Sequence, residues 1–336
     1  MIVVDNKSAR FMKDNVFAYD VIRSVAIIFV ICIHSLGLVN DVLSIEVGIG
    51  QAHIINALVG IVYSGVPLFV MLSGALLLGK DEPIKKFFHK RISKIIWPFL
   101  FWSVIAYAIL YYQNGGRSFI EYIVLYLQKT ATTGVHNIYW YLYMLVGLYI
   151  ITPPIRAVLK GGGISMLMLM VVVLFVVYVS GKYVPTVKVL NRLTFINIIW
   201  VFYYMLGYCV SSQIIYLQEH RRVIYMIFVT LLCFHFGLRL FGLSCEFLDI
   251  AVYITLFALM LSIDYKKKIK LIGEISRMSY GVYLSHFMFI SALLKLNVFQ
   301  KIPLIIEPLC MQVSVLVLDM AVLYMLEKMR LKKYIM

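Results

Sequence analysis

Arg23 and His34 are the two residues whose type and spacing best suit chemistry, eleven positions apart in an apolar run that begins Tyr19-Asp20-Val21-Ile22-Arg23. Helical residues advance about 100° and about 1.5 Å each, so the pair shares a face and lies about 16 Å apart along the axis. A guanidinium holds an anion. An imidazole, with a pKa near 6.5 when unperturbed, takes a hydroxyl proton as general base or carries an acyl group as nucleophile. An anion held at Arg23 can send a long arm up the same face to His34. A snorkelling Arg and a hydrogen-bonded His fit the spacing equally well.

A second set is Lys90, Arg91 and Lys94, within Lys85-Lys86-Phe87-Phe88-His89-Lys90-Arg91-Ile92-Ser93-Lys94. Read as a binding surface, it suits a polyanion such as the nucleotide end of coenzyme A, where Arg matches phosphate geometry. Read plainly, it is a topogenic anchor on anionic lipid. Asp319 is the only deep carboxylate, and a buried Asp319–Arg23 pair is expected because membrane charges usually pair. His235 and Arg239, spaced i, i+4 near an outer helix end, read as a glycan contact or a simple cap. His136 sits before the interfacial Tyr139-Trp140, His53, His89 and His220 lie at or beyond span ends, and His286 reads as structural. The five cysteines form no CxxC or Cys/His metal spacing, so neither disulfides nor a metal site are expected.

The elements that must position these residues follow from composition. Of 336 residues 62% are hydrophobic and 14% charged, with a mean hydropathy of +0.92. A soluble domain carries about 25% charged residues, which excludes a soluble enzyme, a disordered chain and a water-soluble repeat. The expectation is an all-α polytopic membrane protein. With about 20 helical residues per crossing, ten spans fall near 19–39, 54–79, 95–112, 139–155, 164–181, 195–212, 223–241, 247–264, 279–296 and 304–326. Pro153, Pro154 and Gly161-Gly162-Gly163 punctuate the fourth and fifth, and 118–130 reads as an interfacial helix. The polar first eighteen residues and the long run after them fit a first span and not a cleaved signal peptide. With both termini cytoplasmic, 22 of the 31 Lys and Arg lie on inside segments and eight outside, a positive-inside pattern. The net charge of +15 is then topology and attraction to anionic lipid, not nucleic-acid binding. No linker divides the chain, so 1–336 reads as one domain. The absence of an internal repeat counts against inverted-repeat transporters.

Motifs across the chain carry a resemblance. Arg23 followed by ten residues and His34 is joined in order by Gly65-Val66-Pro67-Leu68-Phe69 with Ser73-Gly74, and by Lys90-Arg91-x-x-Lys94-Ile95-x-x-Pro98. Tyr139-Trp140-Tyr141-Leu142, Tyr203-Tyr204-Met205-Leu206-Gly207-Tyr208 and Ser279-Tyr280-Gly281-Val282-Tyr283-Leu284-x-His286 complete the set. Together they resemble the membrane acyltransferase 3 family. Pro67 and the compact length look most like the branch containing the O-acetyltransferase of enterobacterial common antigen and the membrane portion of vancomycin-resistance serine racemases.

The resemblance implies a bacterial inner-membrane O-acyltransferase with no permanent cofactor and no metal. It would take an acyl group, usually acetyl, from cytoplasmic acyl-coenzyme A to hydroxyls of extracytoplasmic or lipid-linked glycans. It assigns the catalytic roles to His34 and Arg23 and coenzyme A binding to Arg23, Lys90, Arg91 and Lys94. Lys94 stands where the family often has Arg, and Phe287 where a proline often follows the late His. The rival reading is an exporter or flippase of a glycan or its lipid-linked precursor, which does not require an imidazole at position 34. A non-catalytic membrane scaffold is a third, and it predicts that Arg23 and His34 both tolerate substitution.

Overall fold

Apolar runs of this length satisfy their backbone groups in lipid by coiling into helices. The computed structural model describes residues 16–46, 49–114, 119–132, 137–183, 197–299 and 306–336, and it is helical with no strand among them. Lys7, Arg10, Lys13, Arg117, His136, Lys188, Arg192, Lys301 and the ends of the expected sixth and tenth spans lie outside the described residues.

The helices are α1 (Val16–Glu46), α2 (Ile49–Val62), α3 (Gly65–Leu77), α4 (Ile84–Asn114), α5 (Phe119–Thr132), α6 (Trp140–Tyr183, preceded by a 3₁₀ turn) and α7 (Ile198–Ser211). They continue with α8 (Ile214–Glu219), α9 (Arg221–Leu240), α10 (Glu246–Ser262), α11 (Lys270–Lys295), α12 (Glu307–Lys328) and α13 (Lys332–Ile335). Among the described residues, six helical stretches are long and apolar enough to cross a membrane: Phe17–Leu36, Ala52–Leu77, Ile84–Ile109, Trp140–Lys182, Arg221–Leu240 and Glu307–Lys328. Ile198–Ser211 is apolar but shorter.

Three expected spans differ in detail. The second is broken at Tyr63-Ser64, where the Ser64 amide turns back to the Ile61 carbonyl at 2.9 Å. Pro67, which lacks an amide hydrogen, sits in the first turn of α3, where its missing donor costs least. Carbonyls near the break are taken up from outside. Tyr253 donates its hydroxyl to Gly60 at 2.7 Å, Arg239 donates to Asn56 at 3.3 Å, and His235 Nε2 lies 3.1 Å from the Ala57 oxygen. His235 is buried and also meets Asp249 at 2.7 Å, as does Arg239. The His235–Arg239 pair, expected to meet a glycan or cap its own helix, thus forms a seam joining α2, α9 and α10. The expected fourth and fifth spans are one helix, α6, redirected at Gly163, whose φ of 64° lies in the left-handed region that favours glycine. Pro153 and Pro154 remain inside it.

Helices α3 and α7 cross with their backbones nearly in contact. A Cβ on Gly74 would run into the Tyr204 carbonyl, and one on Gly207 into the Met71 carbonyl, so two small residues let the backbones meet. Helix directions follow from paired contacts. Arg23–Ser276 and His34–His286 make α1 and α11 parallel, while Ser285–Asp319 and Arg277–Glu327 make α11 and α12 antiparallel. The loop before α4 is tied to α6 by Lys160–Asp81 and Arg156–Glu82. At the C-terminus, α13 tucks under α4, with the Trp102 indole donating to the Ile335 carbonyl at 3.3 Å and the Ile335 side chain buried.

Candidate active site

The first span delivers its two polar residues to the same neighbour, as their shared face requires. Arg23 donates from Nη1 to Ser276 Oγ of α11 at 2.9 Å, and Ser276 donates to Asp20 Oδ1 at 2.6 Å. Asp20 Oδ1 lies 3.6 Å from the guanidinium. Ser24 adds a second tie to α11 through the Ile272 carbonyl at 2.9 Å. The guanidinium is therefore anchored on one side by a carboxylate and a hydroxyl, and its side chain keeps 30% exposure.

Arg23 also lines a cavity of about 200 Å³, bounded by Val30 of α1, Phe69 and Ser73 of α3, Tyr141 and Tyr149 of α6 and Tyr280 and Tyr283 of α11 among others. The walls are aromatic faces punctuated by hydroxyls, the mixture expected of a small-molecule site. Two of those hydroxyls are tied back to backbone. Tyr280 donates to Ile95 at 3.1 Å, and Tyr283 donates to Ile138. These ties hold the rings against the cavity wall.

His34 stands one turn beyond Val30 on α1 and meets α11 there. Its ring centroid is 5.2 Å from that of His286 at a tilt of 38°, and 6.4 Å from Phe287, edge to face. His286 in turn lies 6.1 Å from Tyr283, a cavity-lining residue. The order along α1 is thus Arg23 and Val30 on the cavity wall, then His34 one turn beyond Val30.

A family model described as an acyltransferase domain, acyltransferase 3, matches residues 16–327. The chain belongs to the acyltransferase 3 family. Neither the comparison with curated proteins nor that with solved structures gave a match. With its long apolar helices, the molecule is a multi-pass membrane acyltransferase, and the exporter reading is not favoured.

The basic motif of this acyltransferase divides in space. Lys90 and Lys94 are exposed, whereas Arg91 is buried. Arg91 donates to Glu82 Oε1 at 3.2 Å, and Arg156 reaches the same oxygen at 3.3 Å while donating to the Leu77 carbonyl at 2.6 Å. Both guanidiniums lie over the Phe87 ring, at 5.5 and 4.6 Å. Phe87 packs against Tyr149 of the cavity at 5.9 Å, so this cluster abuts the cavity wall. Burial pushes the Glu82 carboxyl up, but the Arg156 hydrogen bond and the charges of Arg91, Arg156 and Lys80 outweigh it and hold the group below its usual value. Asp81 is also held down, chiefly by its hydrogen bond with Lys160.

Asp319 does not pair with Arg23. Arg23 is engaged by Asp20 and Ser276, and fully buried Asp319 receives the Ser285 hydroxyl instead. The two were expected at similar depth. Asp319 is instead beside Ser285, next in sequence to His286, and so near the imidazole end of the site. Sequence reasoning also left His286 out of the site, because nothing in a single chain shows that α11 lies beside α1. The signal was present in the spacing. Ser276 and His286 are ten residues apart, nearly the interval between Arg23 and His34, which is what two parallel helices in register need. Among the described residues no group of three or more His, Cys, Asp and Glu is arranged to hold a metal ion.

Proposed function

We propose that this protein transfers an acetyl group from cytoplasmic acetyl-coenzyme A to a hydroxyl of an extracytoplasmic or lipid-linked glycan, as a ten-span enzyme of the bacterial inner membrane. The observation that carries this reading is the order along α1: Arg23 and Val30 on the wall of the hydroxyl-lined cavity and His34 one turn beyond, against His286. Arg23 would hold a phosphate or polarise the thioester carbonyl. Lys90 and Lys94 offer exposed charge to the nucleotide, with Arg91 supporting the same end of the bundle from within. The roughly 16 Å along α1 suits a phosphopantetheine arm lying between them.

At the far end His34 meets the reacting groups. As general base it takes the glycan hydroxyl proton while the oxygen attacks the thioester carbonyl; the carbon–sulfur bond breaks and the thiolate leaves with coenzyme A. As carrier, a ring nitrogen first attacks the thioester carbonyl and the thiolate leaves as the carbon–sulfur bond breaks. The glycan hydroxyl then attacks the acetyl carbon, the carbon–nitrogen bond breaks and the freed nitrogen takes the hydroxyl proton. Both routes need an unprotonated ring nitrogen facing the acyl group.

The test is glycan acetylation, read by mass spectrometry, in cells expressing His34→Ala, His34→Gln and His34→Asn at matched membrane levels. The amides keep a hydrogen-bonding group of similar size but take up no proton near neutral pH. All three are expected to lose about 10²–10⁴-fold in rate. Near-normal acetylation with His34→Gln overturns the assignment.

A further inference from the structure

We infer that His286 is a positioning residue for His34, fixing the tautomer that leaves His34 with an unprotonated nitrogen for the acyl group. The inference rests on the function proposed above and concerns the same site. His286 is fully buried, and its Nδ1 lies 2.8 Å from the Tyr283 carbonyl and 3.1 Å from the Val282 carbonyl. Both partners are acceptors only, so Nδ1 carries the proton, and in the neutral ring Nε2 is the acceptor. Because Nδ1 turns back onto the backbone of α11, the Nε2 edge is directed away from that backbone. The His34 ring on α1 lies 5.2 Å away, centroid to centroid. In the inferred arrangement that buried acceptor nitrogen takes the N–H of His34. One nitrogen of His34 is then the donor to His286, and the other presents its lone pair.

This is the arrangement by which a buried group orients a catalytic imidazole in a triad, with a neutral histidine in place of a carboxylate. The neutral partner fits the surroundings, since a formal charge buried at this depth is costly. When His34 takes the glycan proton, its N–H to His286 remains, and no proton needs to leave the pair. Phe287 also meets the His34 ring edge to face, a second ring contact from α11.

The experiment uses the full chain in proteoliposomes, with radiolabelled acetyl-coenzyme A as donor and the glycolipid fraction of the source cell's membranes as acceptor. His286→Phe and His286→Met fill the space without an acceptor. His286→Gln keeps an amide N–H for the Tyr283 carbonyl and an oxygen to accept from His34. The expected result is a fall of about 10–100-fold in kcat for the Phe and Met variants, with the KM for acetyl-coenzyme A unchanged. His286→Gln should return to within about tenfold of the wild type. A kcat within twofold of wild type for His286→Phe or His286→Met, or a Gln variant impaired as deeply as both, overturns the inference. His34→Ala is assayed alongside. If it stays active, the proposed function fails whatever His286 does; if it is inactive while His286→Phe keeps full kcat, only the positioning role fails.

Discussion

Glu82 accepts from two guanidiniums, and that sharing fixes what each substitution will cost. Glu82→Gln leaves the buried Arg91 and Arg156 against Phe87 without their shared carboxylate, and breaking a buried ion pair from one side is costly, here about 3 kcal/mol. Arg91→Gln leaves Glu82 still paired with Arg156 and should cost less than half as much. Lys90→Gln and Lys94→Gln, at exposed positions, should leave the melting temperature unchanged. They should raise the KM for acetyl-coenzyme A and steepen its salt dependence. Thermal melts in detergent and donor titrations separate the two behaviours, and a destabilised Lys90→Gln would contradict the division. The sign with pH follows from the depressed Glu82 carboxyl. Its contribution is present above the unfolded value of about 4.3 and is lost as pH falls through the lower folded value. The stability gap between wild type and Glu82→Gln should therefore narrow on acidification through that window. A gap that widens would reverse the assignment. At this scale Arg23 and His34 were legible, because a charge and an imidazole on one face of an apolar run need a reason. Asp20, Ser276, Glu82 and His286 were not, since their roles depend on which helix lies beside which.

Helices were easier to read than their interruptions. The Gly161-Gly162-Gly163 run marks a real change of direction, seen at Gly163, because three residues without a Cβ are costly to keep helical. Pro153 and Pro154, stronger breakers on paper, stay within α6. The break at Tyr63-Ser64 carries no glycine and was missed; it is stabilised by Tyr253, Arg239 and His235 from distant helices. The glycines of α3 and α7 make a sharper prediction. Gly74→Ala and Gly207→Ala place a methyl group against a carbonyl of the facing helix, which must move away along its length. Overpacking typically costs about 1–3 kcal/mol, and backbone has no rotamer with which to yield. Each variant should lower the yield of monodisperse protein on size exclusion, and the double variant should lose less than the sum because the first methyl already parts the helices. Gly161→Ala, with nothing near its Cβ, is the control. Equal yields for all three would mean that the α3–α7 crossing is looser than described.

At the scale of the molecule, the charge pattern and the ion pairs point to one orientation. The segments that hold 22 of the 31 Lys and Arg include the loop before α4, the stretch of α6 around Arg156, the start of α11 and the C-terminal tail. The structure ties these segments together. Asp81 meets Lys160 and Glu82 meets Arg156, while Arg277 and Lys332 both meet Glu327. Segments joined by ion pairs lie on the same side of a membrane. The parallel course of α1 and α11 and the antiparallel course of α11 and α12 are what first, ninth and tenth crossings require. Under the proposed function the positive-inside rule puts this end in the cytoplasm, where acetyl-coenzyme A would reach Lys90 and Lys94. A reporter fused after Met336 should be active only if it folds in the cytoplasm. The same reporter inserted after Leu243, in the exposed turn between α9 and α10, should be active only if it folds outside. The second site matters because a reporter at Met336 alone does not distinguish ten spans from any other even number. An outside signal at Met336 would sink the ten-span topology and, with it, the donor side assigned to Arg23. A cytoplasmic signal at Leu243 would remove a crossing between α9 and the terminus while leaving the site on α1 and α11 intact.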